Sequence, residues 1–384
     1  MKIYYITQAG LNKAAADTVH SLEIINAFVA IGHNVTVINM GPKHNFTNVH
    51  INSIALNIKD TIFGKLFFQV WLLYVFLFVG NDTLHERCDI IYVRQSAVMF
   101  APSIISRFKK VPLFSEFNTI FSHPETTGGR PLIEYLLRFI EAYTIKTSTR
   151  LIVVSENLKH FFVENYSESA SKVVVAENGA NIEIMKPLDQ KAARHMFGFP
   201  GDAYIVGFVG HLHPWQGIDC LIEACTGSFD KYPDLMLVIA GSGRDRCKYE
   251  ALVRERGLRD AKVIFMGGIP YEKVPYVIAS FDVCVAPGCR DDMFNYAIRS
   301  PLKIYEYLAC GKPVIAGYLD ALKKYFHNYN IGLLITPGDL NQLRSSIEYL
   351  YANKEVARTM GFNGRTLAES CFSWVNTARK IIDA

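Results

Sequence analysis

A segment near residue 300 carries the residue types that would hold a phosphorylated ligand. Ser300 and Pro301 favour the start of a helix, and Gly311 favours its end. The free amides and the positive dipole end of such a helix attract an anion such as a phosphate. Lys303 opposes that dipole from the first turn, which a bound anion would explain, and Glu306 could accept hydrogen bonds from both hydroxyls of a ribose. A capped helix with surface charges accounts equally well for the spacing alone.

Two glycine-containing loops add candidates for the same ligand. Gly207–Gly217 follows a predicted strand and contains His211 and His213. No third metal ligand lies near these histidines, so hydrogen bonding to phosphate or sugar is favoured over a metal site. Arg244 follows Gly241-Ser242-Gly243 and offers a forked cation. The third glycine of a dinucleotide fingerprint is missing there, which argues against NAD.

The composition sets limits on the class of protein. The 384 residues, 50% hydrophobic and 20% charged, fit about two globular domains, and the net charge of +4 argues against nucleic acid as a partner. The eight cysteines lack zinc-ligand spacing and are interpreted as reduced thiols. The adjacent Asp291 and Asp292 are interpreted as a solvated loop pair. The N-terminal residues lack the apolar stretch of a signal peptide, which predicts a cytoplasmic location.

Two series of alternating strands and helices must position these loops. The alternation predicts an α/β protein with two doubly wound parallel sheets, separated by a linker at Asn178–Asp202. Ligands bind at the carboxyl ends of the strands in such sheets. The predicted strands are Lys2–Thr7, Val35–Asn39, Ile90–Val93, Leu113–Glu116, Leu151–Ser155 and Val173–Ala176, then Tyr204–Val209, Leu235–Ala240, Val263–Met266, Val283–Ala286 and Pro313–Ala316.

The segment Ile62–Val79 departs from this alternation because it is almost wholly apolar. A membrane span needs about 20 such residues and would split the sheet, so spanning is disfavoured. A helix buried against the sheet remains one interpretation. The other is an interfacial helix, for which the rings of Trp71 and Tyr74 are suited. We favour the second and expect contact of residues 62–79 with a membrane surface.

The order and spacing of several motifs resemble a retaining glycosyltransferase of family 4 over nearly the whole chain, in the subgroup with a Ser-Pro-Leu-Lys-x-x-Glu-Tyr donor motif. The matching segments are Gly32–Val37, Val153–Glu156, Glu177–Asn181, Phe208–Gly210, Trp215–Gly217, Ala240–Gly243 and Ser300–Pro313. The resemblance implies the GT-B fold, in which two Rossmann-like domains face each other across a cleft. It also implies sugar transfer from a nucleotide diphosphate donor, with retained configuration and with neither a metal nor another cofactor.

The resemblance further implies the limits of the domains. Residues 1–181 would form the acceptor-side domain, and residues 182–366 would form the domain that binds the nucleotide-sugar. A closing helix within residues 367–384 would cross back to the first domain.

Donor-binding roles follow from the resemblance residue by residue. Ser300, Leu302, Lys303 and Glu306 occupy the donor motif, and Glu306 matches the glutamate that holds the ribose. The family's other glutamate falls on Ile298. His211 and Gln216 stand where the family commonly has Arg and Lys to hold the diphosphate. We therefore hypothesise that Arg244 and Lys303 supply the missing charge, since a departing diphosphate needs cationic stabilisation.

In the first domain, Gly10 resembles the glycine loop that faces the donor diphosphate. Glu116 and Asn118 resemble the strand-end element that lines the acceptor side, and His123 is a candidate contact to the reacting sugar, although a loop histidine without a role is an equal alternative. No clear nucleophile or general base is present. This fits the mechanism proposed for retaining members, in which the leaving phosphate takes the acceptor proton.

These observations predict a cytoplasmic, membrane-associated glycosyltransferase that uses a UDP- or GDP-sugar and a saccharide or lipid-linked acceptor. One alternative is a nucleotide-sugar epimerase of the same fold. Another is a catalytically silent protein that binds nucleotide-sugar or membrane, which the residues Ile298, His211 and Gln216 would explain.

Overall fold

Runs of β-branched and aromatic residues form the buried strands of two parallel sheets. The computed structural model of the protein describes residues 1–12, 16–77, 88–258, 262–289 and 300–383. The chain divides into unit 1, Met1–Glu177 with Trp374–Ala384, and unit 2, Asn178–Ser373. Each unit contains one parallel sheet with its own helices, so the predicted α/β fold class with two doubly wound sheets is confirmed.

Unit 1 places its first strand in the interior of its sheet, third from one edge. Along the sheet the order is β3-β2-β1-β4-β5-β6-β7, and β1 pairs in parallel with both β2 and β4. The strand order therefore switches direction at β1, with β2 on one side and β4 on the other. Ligands of such sheets bind outside the carboxyl ends of the strands at this switch point. The strands are β1 Lys2–Thr7, β2 Asn34–Met40, β3 Ile51–Leu56, β4 Ile90–Arg94, β5 Leu113–Phe117, β6 Arg150–Val153 and β7 Val173–Val175.

The helices of unit 1 cover the sheet with apolar faces. They are α1 Ala16–Ala30, α2 Ile62–Leu77, α3 Ala101–Lys109, α4 Pro124–Thr127, α5 Pro131–Thr147 and α6 Glu156–Tyr166. Phe68, Leu72 and Phe76 of α2 pack into the core with Ile105 of α3. This burial explains why α2 is apolar on its inner side, as expected of a helix packed on a sheet.

Unit 2 repeats the arrangement, with the order β10-β9-β8-β11-β12-β13 and the reversal between β8 and β11. Its strands are β8 Tyr204–Val209, β9 Leu235–Ala240, β10 Val263–Gly267, β11 Val283–Ala286, β12 Val314–Gly317 and β13 Gly332–Ile335. The remaining helices are α7 Gln190–Phe197, α8 Ile218–Thr226, α9 Arg246–Glu255, α10 Val274–Ser280, α11 Leu302–Ala309, α12 Asp320–Tyr329, α13 Leu340–Ala352, α14 Lys354–Ser370 and α15 Trp374–Ile382, the last of which belongs to unit 1.

The closing segment, residues 367–384, contains the end of one helix and the whole of another. Leu367 belongs to α14, which ends at Ser370, and α15 begins at Trp374. Between them, Phe372 packs edge-on against Tyr305 and anchors the end of α14 within unit 2. Trp374 packs instead against His20 of α1, with ring centroids 4.9 Å apart. The break in the helix therefore lies where the chain changes units.

The apolar segment 62–79 forms α2 up to Leu77, and its last two residues lie outside the described residues. No helix in the described part of the chain has the length and apolar character needed to span a membrane. One face of α2 is buried as one interpretation expected. The opposite face exposes Phe63, Phe67, Val70 and Tyr74.

Candidate functional site

The start of α11 is held by a serine that does not cap the helix. Pro301 occupies the cap position, so the expectation that Ser300 caps a helix beginning at Pro301 is wrong by one residue. Instead, the hydroxyl group of Ser300 lies 2.7 Å from the hydroxyl of Tyr305. It also accepts the backbone N–H of Asn178 at 3.3 Å, while the Asn178 side chain donates to the Ser300 carbonyl at 2.6 Å. These contacts fix the turn that leads into α11.

Lys303 extends from the first turn of α11 to the loop after β8. Its ammonium group donates to Gln216 Oε1 at 2.8 Å and lies 3.8 Å from the centre of the Phe208 ring. Burial lowers the pKa of Lys303 to about 7, although the nearby Glu306 carboxylate raises it. A lysine desolvated in this way gains from a bound anion, which would restore the charged form.

The loops after β8 and β9 touch through backbone atoms where glycine is required. A Cβ added at Gly241 would lie 1.8 Å from the carbonyl oxygen of Gly210, and one at Gly243 would lie 2.3 Å from that of Leu212. A Cβ at Gly210 would lie 2.7 Å from Nζ of Lys303. The glycines therefore allow the two loops and the lysine to converge at the carboxyl edge of the sheet.

Histidines and an arginine line the outer side of these loops. His213 stacks on Trp215 at 4.2 Å, and the Nδ1 atom of His211 lies 3.2 Å from the carbonyl oxygen of Ser242. Burial lowers the pKa of His213, and His211 and Arg244 lower it further. The Arg244 side chain is exposed and lies 3.4 Å from an Asp245 carboxylate oxygen. Arg244 thus lies at the surface beside Asp245, whereas Lys303 is held by Gln216 and Phe208.

Tyr307 ties α11 to β8 from within the core. Its hydroxyl accepts the backbone N–H of Val209 at 2.7 Å, and the side chain is buried. Neither the contact of Tyr307 with Val209 nor that of Asn178 with Ser300 was predicted from the sequence. Asn178 lies 122 residues from Ser300 in sequence, so no local pattern indicates their pairing.

Glu116 lies within a buried cluster of unit 1. Its carboxylate is 2.7 Å from Nε2 of His20 and 2.6 Å from Nη1 of Arg94, and it accepts the hydroxyl of Tyr92 at 2.8 Å. Burial raises the pKa of Glu116, but His20 and Arg94 outweigh it and hold the pKa at about 2. This carboxylate is therefore ionised at neutral pH and already engaged by three buried partners.

The other candidates of unit 1 lie on loops at the carboxyl ends of strands. The Gly10 carbonyl accepts the hydroxyl of Thr18 at 2.9 Å, which fixes the loop after β1. Asn118 follows β5 and is half-buried, and His123 is half-buried immediately before α4. Their shared sheet edge is consistent with one ligand-facing side of unit 1.

Some residues singled out in the sequence lie outside the described part of the chain, and the question of a metal site can be answered for the described part only. Ile298, Asp291 and Asp292 lie outside the described residues. Within the described ranges, no group of three or more His, Cys, Asp or Glu side chains is placed to hold a metal ion.

Comparison with family models accounts for both units. Residues 18–184 match the model "Glycosyltransferase Family 4", and residues 189–367 match "Glycosyl transferases group 1". The two matches follow one another and leave only short segments of the chain uncovered. Residues 18–184 and 189–367 thus belong to these two glycosyltransferase domain families.

Similar proteins support this assignment at low identity. The chain is 24% identical over 253 residues to D-inositol 3-phosphate glycosyltransferase of Mycobacterium bovis, and the match covers 63% of this chain and 49% of that protein. The chain thus spans about half the length of the curated relatives it matches.

Two solved structures show that this chain has the GT-B fold. Sucrose-phosphate synthase from Thermosynechococcus elongatus superposes with a TM-score of 0.80 at 20% identity, covering 100% of this chain and 98% of that one. Anabaena HepE in complex with UDP-glucose gives a TM-score of 0.76 at 20% identity, with the same coverage of 100% and 98%. The predicted fold is therefore confirmed.

The structure brings some of the predicted donor residues together. Lys303 and Gln216 are in direct contact, and Lys303 is electrostatically coupled to Glu306. His211 and Arg244 lie on the neighbouring loops after β8 and β9. Leu302 is half-buried at the start of α11 and Ser300 is fixed beneath it.

Proposed function

We propose that this chain transfers a sugar from a nucleotide diphosphate donor to a saccharide or lipid-linked acceptor, with retained configuration and without a metal. One observation carries the proposal. A desolvated lysine, Lys303, is held by Gln216 and Phe208 at the meeting point of glycine loops and a helix start. This is an environment in which a diphosphate gains both a cation and backbone donors.

In the proposed step, the bond between the sugar's anomeric carbon and the diphosphate oxygen breaks. The acceptor hydroxyl oxygen forms a new bond to the same face of that carbon, and its proton passes to the leaving phosphate oxygen. Lys303 and Arg244 stabilise the charge that develops on the diphosphate. No side chain is needed as a nucleophile or general base.

The remaining donor-binding residues contact different parts of the ligand. Glu306 accepts the ribose hydroxyls, and His211 and Gln216 donate hydrogen bonds towards the diphosphate or sugar. Leu302 packs beside the nucleotide, and Ser300 keeps the start of α11 in place. Gln216 has an additional role, because its amide oxygen already holds the ammonium group of Lys303.

Unit 1 contributes the acceptor side. Gly10 lets its loop approach the diphosphate, Asn118 and His123 contact the reacting sugar or acceptor, and Glu116 positions the end of β5 through its buried contacts. The exposed apolar side chains of α2 support a proposed contact with the cytoplasmic surface of a membrane, where a lipid-linked acceptor would be available. The family matches favour a transferase over the epimerase or silent-protein alternatives.

The donor is tested by thermal shift with UDP- and GDP-sugars, followed by release of free nucleotide in the absence of acceptor. We expect one donor class to bind, with UDP-sugars the first to examine because HepE was solved with UDP-glucose. We expect Lys303→Ala to lower turnover roughly a hundredfold, as loss of one charge-stabilising group does. Lys324→Ala, at an exposed lysine of α12, is the matched control.

Each alternative gives a different result in the same assay. Interconversion of the sugar without nucleotide release would indicate the epimerase. Binding with neither reaction, across a panel of acceptors, would indicate the silent protein. Unchanged turnover in Lys303→Ala would remove the assignment of that lysine.

A further inference from the structure

Three neighbouring helices of unit 1 form one layer. Gln69 of α2 accepts the backbone N–H of Ala101 in α3 at 3.0 Å. Ser103 of α3 lies 3.4 Å from Thr144 of α5, hydroxyl to hydroxyl. Helix α3 therefore lies between α2 and α5, and the outer faces of the two flanking helices belong to the same side of the sheet.

Both flanking helices present an apolar stripe outwards. In α2 the stripe is Phe63, Phe67, Val70 and Tyr74, with the spacing i, i+4, i+7, i+11, and Phe63 is 81% exposed. In α5 it is Leu132, Leu136 and Phe139, at i, i+4, i+7, with Leu132 82% exposed. The inner faces are already satisfied, because Phe68, Leu72 and Leu137 are buried. The outer stripes are therefore surplus to what the fold of unit 1 requires.

The exposed charged side chains on these three helices are cations, and Asp60, which precedes α2, pairs with Lys65 of α2 at 3.3 Å. Arg138 and Lys146 are exposed on α5, and Arg107 is exposed on α3 beside Phe108, which is 76% exposed. Both carboxylates of α5 have partners: Glu134 accepts the hydroxyl of Thr127 at 2.8 Å, and the buried Glu141 accepts the backbone N–H of Phe121 at 3.0 Å. Helices α2 and α3 contain no acidic residue.

We infer that α2, α3 and α5 form a single docking surface for an anionic lipid bilayer. The inference extends the membrane association proposed for α2, and it adds a second inserting helix and the lipid charge. Aromatic and aliphatic side chains enter the interfacial region, while Arg107, Arg138 and Lys146 meet acidic headgroups. A protein partner would require a matching acidic surface, whereas a bilayer accepts two separate apolar stripes with cations at their margins.

The test is flotation of the full chain with vesicles of phosphatidylcholine, alone or with added phosphatidylglycerol. We expect binding that requires the anionic lipid and weakens with salt. Leu136→Glu with Phe139→Glu in α5 should abolish flotation as completely as Phe67→Glu with Val70→Glu in α2. The double variant Arg138→Gln with Lys146→Gln should bind the vesicles about fivefold more weakly for each cation removed, because each cation near the surface contributes about 1 kcal/mol of binding free energy. Phe362→Glu, at a side chain 72% exposed on α14, and Lys354→Gln are the matched controls.

The outcomes separate this surface from its rivals. Normal flotation of the α5 double variant would overturn the inference and leave α2 as the only contact. Absence of any flotation would overturn the inference and indicate that the chain makes no membrane contact. Self-association of the wild type that both double variants abolish would overturn it and indicate that a second copy covers this surface. Nucleotide release in solution without vesicles, together with the thermal midpoint of each variant, reports on the proposed function and on folding. A failed donor assay with intact flotation would therefore count against the proposed function alone.

Discussion

We expect Lys303 to make the proposed donor binding dependent on pH near neutrality. Its pKa is about 7 because it is desolvated, and a bound diphosphate would raise that pKa. Above pH 7, donor binding is therefore accompanied by uptake of a proton. The affinity should be constant below about pH 7 and should fall above it, by at most tenfold per pH unit. Titration calorimetry with the selected nucleotide-sugar checks this, because its diphosphate does not itself titrate in that range.

The charge-preserving variant provides the control for that pH dependence. Arginine stays protonated over the whole range, so Lys303→Arg should bind with a flatter profile, whatever its affinity at pH 7. A profile in Lys303→Arg that falls as steeply as in the wild type would assign the titration to another group, such as His213.

Gly241 is the residue at which the contact between loops is tightest. Gly241→Ala should lower the free energy of unfolding by about 3 kcal/mol, because a Cβ would meet the Gly210 carbonyl oxygen at 1.8 Å and φ is +147°. Gly257→Ala also has positive φ but nothing within 4 Å, so it should cost only about 1 kcal/mol. Urea unfolding measures both. Equal costs would show that backbone conformation, and not the contact of the loops, requires glycine.

At the scale of elements, the Glu116 cluster joins α1, β4 and β5. Glu116→Gln should destabilise unit 1 by about 3 kcal/mol, since Arg94 and His20 would lose their buried counter-charge. Because the folded pKa of Glu116 is lowered from 4.5 to about 2, its stabilisation is present above pH 4.5 and is lost as pH falls towards 2.

Urea unfolding at pH 7 and at pH 3 checks this sign. The difference between wild type and Glu116→Gln should shrink at the lower pH. Glu369→Gln is the control, because Glu369 is half-exposed and its pair with Arg365 should contribute less than about 1 kcal/mol. A Glu116→Gln variant no less stable than Glu369→Gln would contradict the importance of the cluster.

The turn before α11 depends on a single asparagine from the linker. Asn178→Ala removes the side-chain hydrogen bond to the Ser300 carbonyl and should raise the KM for the donor several-fold, with little change in kcat, because the start of α11 would shift. Asn363→Ala, which removes a hydrogen bond to the Tyr329 carbonyl elsewhere in unit 2, should leave the KM unchanged. Steady-state kinetics separate the two. A similar KM rise in both variants would indicate general loosening of unit 2.

At the scale of the whole molecule, the nucleotide contacts should concentrate in unit 2. Hydrogen exchange with bound UDP should slow most in residues 209–217, 240–244 and 300–306, because these loops and the start of α11 converge around Lys303. The sheet of unit 1 serves as the internal reference. Greatest protection within unit 1 would place the nucleotide elsewhere and remove the proposed donor site.

The sequence predicted best those features that depend on neighbouring residues. The strand Tyr204–Val209 agrees with β8 in both bounds, and the helix after Ser300 is displaced by only one residue. The sequence analysis did not identify β3, whose residues are mostly half-buried at the edge of the sheet, nor the outward apolar face of α5. In both segments, the order of apolar and polar residues alone does not show which face of the element is exposed to solvent.

The sequence by itself determined the alternation of strands and helices, the family motifs and the candidate residues, since each is encoded within a few turns of chain. Only the tertiary structure decided how those residues behave. Gln216 and Phe208 lie far from Lys303 in sequence, yet their packing desolvates it and moves its pKa, and Glu116 became a buried structural carboxylate through His20 and Arg94. Desolvation and charge pairing depend on which distant segments meet, and that is a property of the folded chain alone.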